Sequence, residues 1–210
     1  MNATSSTSRP GEGPFPGGLG SRDVAVTAVF AGLAIALGYM LSWLPNVELV
    51  TFTVFASGVT LGKWRGALTG ALAMAVYSGL NPHGSGLAIP PLYAAQIVGA
   101  ALAGLLGGVA RPLWGGPRRL RPAPGALAGA GLGFLATLMY QALVIAGLTA
   151  AMPEARVGFL AAIASNAVFS AIHLVSNTVV FAVLAPALLP RLRAMREAPS
   201  AATGAASPSR

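Results

Sequence analysis

The chain has 210 residues, 55% hydrophobic and only 9% charged, with 13 Lys and Arg against 5 Asp and Glu for a net charge of +8. So few charges cannot cover a soluble domain of this length, and their confinement to the ends and to short gaps between long apolar stretches suits lipid as the solvent. The basic residues flank apolar runs instead of forming a phosphate-binding surface, which argues against nucleic acid, and the absence of cysteine excludes disulfides, thiol nucleophiles and thiolate metal sites.

Residues 1–22 are rich in Ser, Gly and Pro and lack the basic start and apolar core of a signal peptide. They read as a disordered cytoplasmic tail. A first apolar run goes from Val24 to Leu44 and stops at Pro45-Asn46; a second covers Val47 to Gly62. The third, Gly66 to Leu80, stops at the breaker pair Asn81-Pro82. Pro91 to Ala110 is the fourth, Gly125 to Ala150 the fifth, and Val157 to Leu189 the sixth. The second and third are short for a hydrocarbon core of about 30 Å and are open to a re-entrant reading. Charge favours six crossings. With the N-terminus inside, Arg9, Arg22, Lys63, Arg65, Arg111, Arg118, Arg119, Arg121, Arg191, Arg193, Arg196 and Arg210 are all cytoplasmic, and Arg156 alone is outside. The expected fold is an all-α integral membrane protein of the plasma membrane: a bundle of six transmembrane helices over residues 23–194, N-in and C-in, with residues 195–210 as a second disordered cytoplasmic tail. GALTGALA at the start of the third run resembles GALAGAGLG at the start of the fifth, as a vestigial repeat or as small-residue helix packing would give.

Polar groups at membrane depth either satisfy one another or serve a ligand. Asn166, Ser170, His173 and Asn177 share one face of the sixth run at steps of 4, 3 and 4. Tyr93 and Gln96 fall in the outer half of the fourth run, and Tyr140 and Gln141 in the outer half of the fifth. The outer gaps add Asn46, Glu48, Asn81, His83 and Ser85. These residues converge on the outer half of the bundle, where a small-molecule pocket needs a few polar groups among aromatic and aliphatic walls. Asn46, Glu48, Asn81, His83, Tyr93, Gln96, Tyr140, Gln141, Asn166, Ser170 and His173 are the candidate substrate-binding residues; interhelical hydrogen bonding is the competing explanation. Glu48 reads equally as a ligand contact or as a solvated surface residue. His173 has no second His or carboxylate on its face, which disfavours a metal site, and no cofactor is expected. Ala28, Gly32 and Ala36 form a small-residue ridge on the first run, suited to close approach by another helix inside or outside the bundle.

Two catalytic motifs fail. Gly58-Val-Thr-Leu-Gly62-Lys63 has three residues between its glycines, not four, and Trp64 stands where a phosphate loop needs Ser or Thr. Ser85 is followed by Pro90-Pro91 in an outer gap, away from His173, so it cannot serve as an intramembrane serine nucleophile. ATP hydrolysis, if used, belongs to other chains.

The run PNVELVTFTVFASGVTLGKWRGALTGALAMAVYSGLNPHGSG, followed by PPLYAAQIVGAALAGLLGG, resembles the substrate-binding S components of energy-coupling factor (ECF) transporters. The later HLVSNTVVFAVLAPAL is similar to that family's last helix, so the resemblance covers residues 23–193. It implies a six-helix subunit that captures a vitamin or related micronutrient from outside. Its partners would be a coupling transmembrane subunit and two cytoplasmic ATPase subunits, and it would topple in the bilayer as they hydrolyse ATP. The resemblance also implies that Ala28, Gly32 and Ala36 dock the coupling subunit. Family members bind unrelated vitamins, so no ligand carries over; the Asn, Gln, Tyr and Trp character favours a neutral or mildly polar ligand with an aromatic ring over a multiply charged one. The alternatives are a multi-span scaffold of envelope assembly and a stand-alone small-molecule carrier. The carrier needs a polar path through the inner half, where only Asn177 stands.

Overall fold

The computed structural model describes residues 20–44, 47–81, 84–115, 119–151 and 158–197, without the side chains of 158–163, 165 and 166. Residues 1–19 of the expected tail 1–22, residues 198–210 of the expected tail 195–210, Asn46, His83 and the side chain of Asn166 lie outside the described residues, and α1 already begins at Ser21. Among the described residues there are six α-helices and no strand: α1 Ser21–Met40, α2 Val50–Leu61, α3 Lys63–Gly79, α4 Pro90–Ala110, α5 Pro122–Ala151 and α6 Gly158–Glu197. Helix α6 continues past Ala194 to Glu197, into the segment expected as tail.

Among the described residues, four helical stretches are long and apolar enough to cross a membrane: α1, α4 with the 3-10 turn that extends it to Trp114, α5, and Ala167–Glu197 of α6. The second apolar run, Val47 to Gly62, is helical over a shorter length than its hydropathy suggests. It forms a helix of only 12 residues, about 18 Å long at 1.5 Å per residue, against a hydrocarbon core of about 30 Å. Every residue of α2 is buried, so it is a core element walled by protein. Its polar side chains suit that position because their donors are consumed locally. The hydroxyls of Thr53, Ser57 and Thr60 donate to the carbonyls of Leu49, Val54 and Ala56 at 2.7, 2.6 and 2.7 Å.

Helices α2 and α3 are joined through Gly62 alone, at φ 97°, a left-handed conformation that favours glycine. The tight connection lays α3 back along α2, and α4 crosses both where each presents glycine. A Cβ added to Gly58 would stand 1.9 Å from the Gly104 carbonyl oxygen, and one on Gly104 would stand 2.0 Å from that of Gly66. At Gly107 the obstacle is the Phe55 carbonyl oxygen, also at 2.0 Å. These obstacles are backbone atoms, which cannot rotate away. Small residues thus let three helices approach to backbone contact, the usual packing device in lipid, where helix association has no hydrophobic driving force.

Beside this crossing, Phe55 packs edge-on against Trp114 and Phe181 with ring centroids at 5.8 and 5.1 Å, and Phe52 meets Phe181 at 5.1 Å. Ala185 and Leu189 of α6 complete this apolar cluster. One end of the bundle is basic. Asp23, at the start of α1, pairs with Arg65 of α3 at 2.9 Å and with Arg196 of α6. Arg193 donates to the Arg111 carbonyl at 3.0 Å. These bonds bring the start of α1 and the end of α6 to the same end of the bundle.

The crossing makes a graded prediction. Gly104→Ala should lower stability by about 1–3 kcal/mol or prevent folding, because overpacking against backbone has no cheap relief. Gly131→Ala on α5, where no described atom lies within 4 Å of the added methyl, should leave the melting temperature unchanged or slightly raised. Thermal unfolding of the detergent-solubilised variants distinguishes them; equal melting temperatures would contradict the tight crossing.

Candidate functional site

A buried carboxylate must be met by donors, and Glu48 shows how the bundle supplies them. Its Oε2 accepts the backbone N–H of Thr51 at 2.8 Å, capping the first turn of α2 at the positive end of that helix. Its Oε1 accepts Asn177 Nδ2 at 3.0 Å and lies 3.3 Å from His173 Nε2. Asn177 is fully buried, and its Nδ2 also donates to Thr137 Oγ1 at 3.0 Å. The Thr137 hydroxyl in turn donates to the Gly133 carbonyl at 2.8 Å. A chain of bonds therefore links α2, α5 and α6, and it fixes the Asn177 amide orientation because only the NH2 group can face the carboxylate. Tyr140 stands edge-on to the His173 ring at a centroid distance of 6.1 Å.

This corrects the depth assigned to Glu48. Thr137 lies halfway along the 30-residue α5, and Glu48 shares a partner with it. The carboxylate is therefore deep in the bundle, not solvated at its surface, and only 20% of its side chain is exposed.

Above the carboxylate lies a cavity of about 350 Å³, within the range of small-molecule pockets. It opens between the end of α1, the segment leading into α2, and the facing surfaces of α3 to α6. Of the residues expected to bind substrate, Glu48, Gln96, Tyr140, Gln141, Ser170 and His173 line it. Tyr93 and Asn81 do not. The Tyr93 hydroxyl donates to the Ala75 carbonyl at 2.9 Å and so ties α4 to α3. Gln96 accepts a short hydrogen bond from Ser78, and Gln141 Nε2 donates to the Ser170 carbonyl at 3.0 Å. Both glutamines hold helix pairs together while facing the cavity, so the ligand and packing explanations apply to the same side chains.

The structure adds Thr51, Tyr77, Thr137 and Asn177 to the site or its support. Asn177 had a sequence signal, since it follows His173 by one turn on the polar face. Thr137 lies one turn before Tyr140 and carried the same kind of signal. Tyr77, tilted against Tyr39 at 5.2 Å, had none beyond its aromatic character. No cluster of three or more His, Asp or Glu with the arrangement of a metal site occurs among the described residues.

No protein-family model, curated protein or solved structure matches the chain. The site must be interpreted from its own geometry.

The carboxylate network predicts a specific non-additivity. Asn177→Leu removes a donor from a buried charge and should cost about 1.5–3 kcal/mol, more than a neutral hydrogen bond. In a Glu48→Gln background the same change should cost clearly less, because the acceptor is no longer charged. Additive losses in a thermal-unfolding double-mutant cycle would show that the two residues do not interact.

Proposed function

We propose that the chain is the membrane-embedded substrate-capture subunit of an ECF transporter. It binds a vitamin or related micronutrient from outside and delivers it inward with a coupling transmembrane subunit and two cytoplasmic ATPases. The observation that carries this reading is the one-sidedness of the cavity. It occupies the half of the bundle away from the basic end, and the positive-inside rule makes the basic end cytoplasmic. In this reading the chain sits in the plasma membrane with six helices crossing or embedded in it, the short α2 reaching partway, and both termini in the cytoplasm.

Below the cavity, the rings of Phe52, Phe55, Phe181 and Trp114 and the glycine crossing fill the bundle. The buried hydroxyls there donate to carbonyls of their own helices, as Thr69 does to Arg65 at 2.8 Å. The Asn177 amide NH2, an inner group that could have begun a polar path, donates to Glu48 and Thr137. A pocket open to one side, with packed rings and a backbone-contact crossing on the other, suits capture followed by movement of the whole subunit better than conduction through it. Apart from Glu48 and its partner His173, the ion-paired groups among the described residues are gathered at the basic end, so few charges would have to cross lipid in such a rotation.

Helix α1 supports the partner assignment. It buries Thr27, Ala31, Ala34 and Gly38 against the bundle and leaves Ala28, Gly32 and Ala36 exposed on its other side. No described atom lies within 4 Å of a Cβ placed on Gly32. The ridge is free for the coupling subunit that the family resemblance implies.

The test is to tag the C-terminus, solubilise the protein gently from its own host and identify co-purifying chains by mass spectrometry. One polytopic subunit and two ATPases are expected. The double variant Ala28→Leu/Gly32→Leu should lose them without a change in melting temperature, since both positions face away from the bundle. Recovery of the chain alone would favour a solitary carrier, and recovery of envelope-synthesis proteins would favour a scaffold.

A further inference from the structure

Resting on that reading of the cavity as the ligand site, we infer that its ligand is a small ring compound that presents N–H donors, cationic or neutral, to Glu48. It carries no carboxylate or phosphate at that edge. The argument begins with the carboxylate's unused capacity. Glu48 Oε1 is occupied by Asn177 and His173, whereas Oε2 accepts only the Thr51 N–H among the described residues. A carboxylate oxygen accepts two hydrogen bonds, so Oε2 retains an acceptor position, and Glu48 lines the cavity. A donor on the ligand meets that position directly.

The rest of the wall excludes the opposite charge. Among the described residues no Lys or Arg lines the cavity, and those with ion pairs or charged hydrogen bonds are at the basic end, as Arg65, Arg111, Arg193 and Arg196 are. An anionic group entering the pocket would face Glu48 with His173 as the one basic lining residue among those described, and His173 is already engaged with that carboxylate. Burial strengthens the repulsion, because charges inside the bundle are poorly screened. A donor-rich or cationic edge gains from the same field.

Shape supplies the remainder. Tyr77, Tyr140 and Phe169 contribute aromatic walls, and Met74 and Ile145 aliphatic ones. These surfaces suit a flat ring, with its donor edge directed toward the start of α2 and its apolar body between α3, α5 and α6. The cavity of about 350 Å³ has room for a compound of one or two rings.

Three fragments of nearly equal size separate the alternatives: benzamidinium, benzamide and benzoate. Binding is measured by ligand-observed NMR on the detergent-solubilised full-length protein at millimolar fragment concentrations. Benzamidinium or benzamide should bind at least about tenfold more tightly than benzoate, the difference expected from one charge-assisted hydrogen bond. If benzamidinium leads, the ligand is a cation; if benzamide leads, it is a neutral donor. Glu48→Gln should weaken benzamidinium by about tenfold while changing benzamide by no more than about threefold, because the glutamine oxygen still accepts from a neutral N–H. Should that variant fail to fold, the wild-type preference order decides by itself. Benzoate binding as tightly as the others, benzamidinium binding undiminished by Glu48→Gln, or no binding by any of the three would each overturn the inference. The transport reading fails separately. Glu48→Gln leaves the outward-facing α1 ridge intact, so partners retained with the wrong fragment order refute the ligand class alone. The right order in a chain without partners refutes the transporter assignment alone.

Discussion

A carboxylate deep in an apolar bundle must find donors, and much of this structure is arranged around that requirement. Glu48 stands before a helix whose first turn offers a backbone N–H, and it draws Asn177 and His173 of α6 toward it. Asn177 reaches Thr137 in turn, so one side chain fixes the relative depth of α2, α5 and α6. The same requirement explains why α2 is only 12 residues long and begins well inside the bundle. A buried ion held by several partners is weak evidence of stability in itself, since a well-packed apolar group would often serve as well. Glu48 also lines the cavity, where its charge is open to a ligand as well as to the bundle.

The two halves of the bundle solve different packing problems. Toward the basic end, glycines at 58, 66, 104, 107 and 108 bring α2, α3 and α4 into backbone contact, and rings from α2 and α6 with Trp114 fill the adjoining space. Toward the other end the helices carry Tyr, Gln, Met and Phe, and they diverge enough to leave a cavity. Contact between backbones leaves no room for water or solute, whereas long side chains meeting imperfectly do. The asymmetry between a packed half and a hollow half is therefore built into where glycine and the larger polar and aromatic residues fall along the chain.

The charges follow a third logic. Asp23 holds Arg65 and Arg196, so the ends of α1, α3 and α6 are tied by a network and not by one isolated pair. Each such bond near a surface is weak alone and is reduced by salt. Together they keep the ends of helices from three parts of the chain in register while leaving the outward face of α1, with Ala28, Gly32 and Ala36, uncovered.

Much of this was legible in the sequence, because local pattern and solvent preference determine it. Long apolar runs must be helices where backbone groups have no water to bond, and basic residues in the gaps mark which helix ends share a side. The one-turn spacing of Ser170, His173 and Asn177 places them on a common face whatever packs against it. Tertiary structure alone decided three matters. It decided that α2 is a buried core helix, since its composition equally suited a short crossing and only its neighbours show that no side of it meets lipid. It decided that Glu48 is deep, because the level of a residue after a break depends on where the chain re-enters, which no periodicity records. It also decided that Tyr93 braces α4 against α3 while Gln96, one turn later, faces the cavity. Sequence assigns a residue to a helix face, but the partner that face meets is set by how six helices pack at once.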